Sequence, residues 1–357
     1  MPPFEEKTLL VANTAAQNGN GAQAAAHAAA LLREVVGEDR LDVVLTEGPG
    51  HAEQVSAQAQ GYGTVVALGG DGIIHETANG LLRLPECARP TLGVVPVGSG
   101  NDYARTLGIS ARSVDEAVRQ LAGAHPRPFD VGRCNGRHFV ETLSFGLDAA
   151  IALDTVERRR VTGKTGTALY LESGLDQLLH HRDAHRFTAT LDAAQVGAAV
   201  PPADAGQVGD ATPPVDAGQV GEGPGFERTP EGAAAAQGAA CAKAGTRTVD
   251  GPSYLFAVQI GPTYGGGFRI CPQARTDDGL LDLCVARPPL SALRAVFLFL
   301  LAKNAWHTRF KQLEFYQTRS LRLSFDGPLP VQMDGEPFQA PEYDIACVPH
   351  ALNVLVP

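Results

Sequence analysis

The chain has 357 residues, enough for two domains with cores of their own. At 44% hydrophobic and 19% charged residues it has the composition of an ordinary globular protein. A net charge of -10 argues against a nucleic-acid partner and against strong attraction of the whole molecule to anionic lipid, so any membrane contact has to be local.

Six cysteines, Cys87, Cys134, Cys241, Cys271, Cys284 and Cys347, form no Cys-x-x-Cys pair and no zinc spacing, and read as free thiols in a reducing compartment. Residues 1–7 lack a basic segment followed by an apolar one, and the most apolar run, 295–302, is too short to span a bilayer. A cytoplasmic protein is expected.

Residues 8–12 read as a first strand, followed by a loop from Asn13 to Gly21 and an alanine-rich helix to about Val36. A second strand over 41–45 ends at Thr46. Residues 64–68 read as a buried parallel strand that ends in Gly69-Gly70-Asp71-Gly72 and opens an amphipathic helix with Ile73, Thr77, Gly80 and Leu81 at near-helical spacing. A strand that ends in glycines at a helix start is where an α/β fold binds phosphate, because the backbone can approach the anion and free N–H groups point at it. Asp71 would repel a polyphosphate unless a cation lay between them, which suggests a Mg-nucleotide. A strand over 91–95 runs into a second glycine loop, Pro96-Val-Gly-Ser-Gly-Asn-Asp-Tyr-Ala-Arg105. A plain turn with an Asx helix cap is the alternative reading at each loop. Alternating strands and helices over 8–122 make a doubly wound sheet with both loops at its carboxyl edge.

Pro126-Arg-Pro128 marks a boundary, and strands follow over 129–134, 138–144, 187–191, 254–260, 281–286, 321–325 and 330–333. Phe145–Ala150 begins a helical stretch. Arg158–Arg160, Lys164 and residues 180–186 are locally basic, which reads as a solvated face before it reads as a docking patch for lipid headgroups. Residues 192–250 repeat Asp-Ala-Ala/Gly-Gln-Val-Gly at Asp192, Asp204 and Asp216 and hold few large apolar side chains, so a disordered insertion at a hairpin tip is expected. Residues 291–310 read as an apolar helix burying Leu293, Val296, Phe297, Leu300 and Leu301, in core packing or against an acyl-chain cleft.

Four blocks stand in order: Gly69–Gly72 with His75-Glu76 and Asn79-Gly80-Leu81; Pro96–Arg105; Gly265-Gly-Gly267 with Asp277-Asp-Gly-Leu-Leu281; and Asp334-Gly-Glu336. Together they resemble the diacylglycerol kinase catalytic-domain family, which includes soluble bacterial lipid kinases and the sphingosine and ceramide kinases. The resemblance covers nearly the whole chain outside the insertion. It implies an α/β nucleotide domain (1–126), like that of NAD kinases and phosphofructokinases, then a mainly antiparallel β-sandwich domain (127–344) and a closing segment (345–357) that returns to the first.

The resemblance also implies an ATP- and Mg2+-dependent kinase for diacylglycerol or a related lipid alcohol, working in the cleft between the domains. Asn13, Thr46, Gly69, Gly70, Asp71, Gly72, Glu76, Ser99, Gly100, Asn101 and Asp102 would serve the nucleotide. Glu336 would be the general base, with Asp71 and Asp130 in the catalytic network. Asp278 would hold a structural magnesium with the main chains of Arg275 and Leu280. The Asn13 loop departs from the family's Asn-Pro-x-Ser-Gly. Ile73 and His75 are more like sphingoid-base kinases, which makes a long-chain base the rival acceptor. An NAD-kinase-like enzyme and a non-catalytic nucleotide- or lipid-binding regulator are further alternatives. The expected partners are a lipid alcohol and, transiently, a membrane surface; no nucleic acid is expected, and the oligomeric state is open, a homodimer included.

Overall fold

The structure, a computed structural model, describes residue 4 and residues 6–14, 21–164, 167–192 and 245–357. Strands β1 (Thr8–Asn13), β2 (Leu41–Thr46), β3 (Thr64–Gly69) and β4 (Thr91–Pro96) pair in parallel in the order β2-β1-β3-β4. β1 and β3 are near-unbroken apolar runs and are buried along almost their whole length, as parallel strands between helix layers must be. Helices α1 (Gly21–Val36), α2 (His51–Ser56), α3 (Asp71–Leu82), α4 (Asp102–Thr106) and α5 (Val114–Ala122) alternate with them. Asn13 pairs with Thr46 and Gly69 with Pro96, so the strands' carboxyl ends form one edge, and both glycine loops leave from it.

The chain then turns antiparallel, through β5 (His125–Cys134), β6 (Arg137–Phe139) and β7 (Thr142–Gly146). The single strand expected over 138–144 is broken at Val140 and Glu141, whose N–H groups go to the carboxylate of Asp334. Helices α6 (Leu147–Thr162) and α7 (Thr167–His180) lead to β8 (His185–Asp192), which pairs with β9 (Thr246–Ser253) from His185–Ser253 to Asp192–Thr246. Residues 246–250, expected to belong to the insertion, are therefore strand, held by backbone pairing that composition does not reveal. The remainder of the expected insertion, 193–244, lies outside the described residues.

β10 (Leu255–Gln259), β11 (Leu281–Ala286), helix α8 (Ala292–Ala302), β12 (Leu313–Thr318), β13 (Ser320–Phe325), β14 (Val331–Met333), β15 (Glu336–Pro337) and β16 (Tyr343–Val356) complete the chain. Among the described residues, one sheet runs β12-β11-β10-β7-β14-β15. The other continues the parallel strands through β16 to β13, β8 and β9, with β5 paired to β16. The α/β half and the antiparallel β-sandwich half are both as the sequence implied, and one sheet threads through the two.

Period-two alternation sorts the faces of the six-stranded sheet. Leu143, Phe145, Phe256, Val258, Leu283, Val285, Val331 and Met333 fill the sandwich core with Phe187 and Tyr343. Ala257 and Cys284 turn the other way and pack with Tyr264, Phe268 and Ala302 beneath α7 and α8. That second face becomes one wall of the cavity described next.

α8 corrects the sequence reading. It ends at Ala302, and its buried residues are Ala295, Leu298 and Ala302. Leu293, Phe297 and Leu300, expected inside, are exposed, and Val296 and Leu301 are only partly covered. The helix is apolar on every side, so its periodicity marked a stripe without telling which one faces inward.

Candidate active site

The two glycine loops touch backbone to backbone. A Cβ on Gly98 would lie 2.4 Å from the Cα of Gly70, and one on Gly100 would lie 2.6 Å from Oδ2 of Asp71, so neither position admits a side chain. Asn101 adopts a left-handed φ of 53° and folds its amide over the loop: Oδ1 accepts from the N–H of Gly98 and Nδ2 donates to the Gly98 carbonyl, both at 2.8 Å. Asp71 accepts from the N–H groups of Asn101 (3.0 Å) and Asp102 (3.1 Å), tying the first loop to the second.

Other acids do similar structural work. Asp102 accepts from the N–H groups of Gly266 and Gly267, both at 2.6 Å, and pairs with Arg105 at 2.8 Å. It thereby fastens the α/β half to the Gly265–Gly267 turn of the other half. Glu76 accepts from the N–H groups of Gly50 (2.8 Å) and Ala52 (3.2 Å) and caps the start of α2. Asn101, Asp102 and Glu76 were expected to bind nucleotide; their side chains are engaged by the protein and set the shape of the loops.

Met333 and Glu336 pair across the two-residue turn Asp334-Gly335, and both turn residues have positive φ, as a tight hairpin twisted like its strands requires. The Asp334 carboxylate accepts from the N–H groups of Val140 (2.8 Å), Glu141 (3.0 Å) and Thr142 (2.9 Å) and from Nδ1 of His75 (2.9 Å). With Nδ1–H donating to Asp334, the other ring nitrogen accepts from Arg137 at 3.3 Å. His75 is buried on α3, behind the cavity wall, so the hint about the acceptor drawn from it does not hold; Ile73 does line the cavity. The anchored hairpin brings Glu336 over the first loop, where its Oε1 lies 3.4 Å from where a Cβ on Gly72 would be.

A cavity of about 1300 Å³ joins these parts. Its polar end is lined by Asn13, Thr46, Gly70, Asp71, Gly72, Glu76, Ser99, Gly100 and Asp102 on one side and by Glu141, Asp334 and Glu336 on the other. Gly69 stands just behind, held to glycine because a Cβ there would meet Cγ2 of Ile73 at 2.5 Å. The far end is an apolar chamber between α6, α7, α8 and the sheet, with Leu147, Ile151, Leu178, Phe268, Leu298 and Phe299 in its walls.

The polar end is strongly acidic. Burial, and then the neighbouring Asp102, push Asp71 up to about 7. Glu141 is raised well above the usual carboxylate range by burial, then by Asp71 and Asp102, and its Oε1 has no hydrogen-bond partner among the described residues. Arg105 offsets only part of this charge. Carboxylates crowded beside free loop N–H groups fit a hard cation shared with a phosphate. Deeper in, burial raises Asp148 to about 6; it lies beside the hydroxyls of Tyr264 and Ser144.

Asp130 does not line this cavity. Its carboxylate accepts from the N–H groups of Gly279 (2.6 Å) and His350 (2.8 Å) and pins the Asp277–Gly279 turn to the closing strand β16. Asp130, expected in the catalytic network, therefore stands beside the Asp278 turn and outside the lining of the cavity. In that turn Asp278 accepts from the N–H of Leu280 at 3.0 Å and is raised by burial, with Asp130 and Asp277 adding to the shift and Arg275 opposing it. A cation held by Asp278 and the main chain of Arg275 and Leu280 would relieve that crowding, so the donor set fits the expected magnesium. No group of three or more His, Cys, Asp or Glu poised for a metal occurs among the described residues, and a one-carboxylate site would not form one.

Sequence reasoning missed Glu141, Asp148 and the role of Asp334. A lone Glu inside the apolar run Phe139-Val-Glu-Thr-Leu-Ser-Phe145 was a usable signal, because an unpaired acid is rarely placed in a core strand.

A parallel α/β half and an antiparallel β-sandwich half closed around one acid-lined cavity make up the fold. Residues 7–134 match the family described as the diacylglycerol kinase catalytic domain, and residues 240–356 match the YegS C-terminal NAD kinase beta sandwich-like domain. Residues 7–134 are thus a domain of the diacylglycerol kinase catalytic-domain family, followed by the C-terminal domain model of its YegS members. A Pseudomonas aeruginosa protein described as a probable lipid kinase, YegS-like, is 28% identical over 354 residues, 99% of this chain and 95% of its own. The diacylglycerol kinase of Bacillus subtilis is 34% identical over 128 residues, 36% of this chain and 41% of its own. A crystal structure of a diacylglycerol kinase from Bacillus anthracis superposes with a TM-score of 0.69 over 99% of this chain and 97% of its own; at 19% identity that likeness is one of fold.

Two outcomes test the site. Asp334→Ala leaves three backbone N–H groups and the His75 ring unpaired in a buried place, and should cost at least about 3 kcal/mol in denaturant unfolding. The second concerns Asp71, which ionises near 3.8 in the unfolded chain and about 7 in the folded one, so rising pH through that window removes stability. Relative to wild type, Asp71→Asn should therefore gain roughly 2–3 kcal/mol between pH 5 and pH 8, read from paired unfolding curves; a constant difference would disprove the raised value.

Proposed function

We propose that the protein transfers the terminal phosphoryl group of ATP to the hydroxyl of a lipid alcohol. One observation carries this reading: Glu336 stands over Gly72 in the lining of a single cavity that holds both the glycine loops and an apolar chamber. The crevice offers backbone N–H groups to phosphates, and the chamber suits one or two acyl chains. The relatives described as lipid and diacylglycerol kinases support the same class.

In this reading the Gly70–Gly72 and Gly98–Gly100 segments hold the triphosphate with Ser99. Asp71 and Glu141 face its charge and would hold Mg2+, which when bound neutralises charge on the phosphates. Glu336 accepts the proton of the acceptor hydroxyl as its oxygen attacks, and the ADP oxygen leaves. Glu336→Gln should lower kcat on the order of 10²–10³-fold with the KM for ATP little changed, measured with labelled ATP on a panel of dispersed lipid alcohols. If no lipid alcohol is phosphorylated by the wild type, the reading fails.

Diacylglycerol is the acceptor the relatives' descriptions suggest. A long-chain base is favoured by Asp148, a buried carboxylate beside the chamber that meets no cationic side chain among the described residues and would pair with an amine. Asp148→Asn should raise KM about tenfold or more for a long-chain amino alcohol, with that for diacylglycerol unchanged. Equal turnover of diacylglycerol by both proteins, with none of the amino alcohol, would settle for the former.

A further inference from the structure

α8 carries two apolar faces. The inner one, Ala295, Leu298 and Ala302, walls the chamber. The outer one presents Leu293, Phe297 and Leu300, spaced for one stripe along the helix, at 81%, 51% and 47% exposure, and Trp306 follows at 55%. Phe297 is braced edge-on against Phe310, so the stripe is a built surface. A helix that is apolar all round is ordinarily buried, and this one is covered on one side only.

Charge says what covers the other side. Residues 283–313 contain no Asp or Glu and five basic side chains, Arg287, Arg294, Lys303, Arg309 and Lys311, in a chain whose net charge is -10. Arg294, Arg309 and Lys311 are exposed and border the stripe, and none forms an ion pair among the described residues. No helix among the described residues is long and apolar enough to cross a membrane. An apolar stripe edged with cations, with a tryptophan at its end, is the pattern of a helix that lies in a bilayer interface. A second copy of the chain is a poorer occupant. Isologous contact would set this basic segment against itself, and four apolar side chains fall far short of the roughly 20–30 residues a side of a stable interface.

We propose that the outer face of α8, with Trp306, seats the protein on the surface of an anionic lipid bilayer, so that an acceptor reaches the chamber under α8 without crossing water. The purpose given to this contact rests on the lipid-kinase reading; the contact itself does not.

Trp306 is the chain's single tryptophan, so its emission reports the contact directly. The full chain is titrated, without ATP, with vesicles of phosphatidylcholine alone and of phosphatidylcholine mixed with phosphatidylglycerol, at low and high salt, and is also sedimented with them. A blue shift with co-sedimentation, stronger on the anionic vesicles and weakened by salt, is expected. Phe297→Ser with Leu300→Ser should weaken vesicle affinity at least about tenfold, and Arg294→Glu with Lys311→Glu should remove the preference for anionic lipid. Both variants should keep wild-type turnover of a short-chain acceptor dissolved in water. No shift and no co-sedimentation on anionic vesicles would overturn the proposal. So would a lipid-free blue shift that grows with protein concentration and vanishes in Phe297→Ser, which would assign the face to a second copy. Vesicle binding without phosphorylation of any lipid would sink the kinase reading and leave the docking face standing. Phosphorylation of micellar lipid without vesicle binding would do the reverse.

Discussion

The arrangement depends on the carboxylate of Asp334. Four hydrogen bonds converge on it, three from consecutive backbone N–H groups and one from the His75 ring. Buried acid is costly unless it is fully hydrogen-bonded, and here it is. The cost is answered with geometry: β7, α3 and the β14–β15 hairpin are fixed at one point, and Glu336, two residues on, has little freedom in where it stands. His75 contributes to the cavity without facing it, by coupling the helix that begins in the first glycine loop to the hairpin that carries Glu336.

The same economy runs through the other acids. Asp71 joins one glycine loop to the other, Asp102 joins the second loop to the sandwich half, and Asp130 joins the closing strand to the Asp277–Gly279 turn. Each carboxylate accepts backbone N–H groups that no strand or helix supplies with a partner. The cavity is acidic in part because its frame is assembled with acids, and a phosphate can enter only where loop N–H groups and a cation compensate them.

Much of this was legible in the sequence. Strands ending in glycine announced the sheet edge where the cavity lies, and alternation over 8–122 announced the parallel sheet, because both signals are local. The convergence of Gly70–Gly72, Ser99 and Glu336 on one cavity followed from the ordered blocks and the resemblance they carried. The bond from His75 to Asp334 spans 259 positions and leaves no local trace, so a residue read as part of a motif proved to be an anchor. The break at Val140 and Glu141 was hidden for the same reason, since a distant carboxylate and not a turn residue interrupts the strand. At α8 the fault was different in kind: a helix rich in Leu and Phe on all sides gives a period but no direction, and the more heavily apolar stripe was assigned to the interior. Residues 246–250 were lost to composition, because backbone pairing with β8 holds them and Val249 is their one apolar side chain in the core.

The pairing of β5 with β16 has one more consequence. It runs from Cys134–Ile345 in the sandwich half to His125–Val356 beside the parallel strands, with an irregularity between Val348 and Leu352. A ribbon of this length crossing from one core to the other resists bending, because a hinge would have to break hydrogen bonds in series. The two halves are thus built as one stiff frame, and whatever opens or shuts around a substrate has to be the thin layer of helices and loops laid over it.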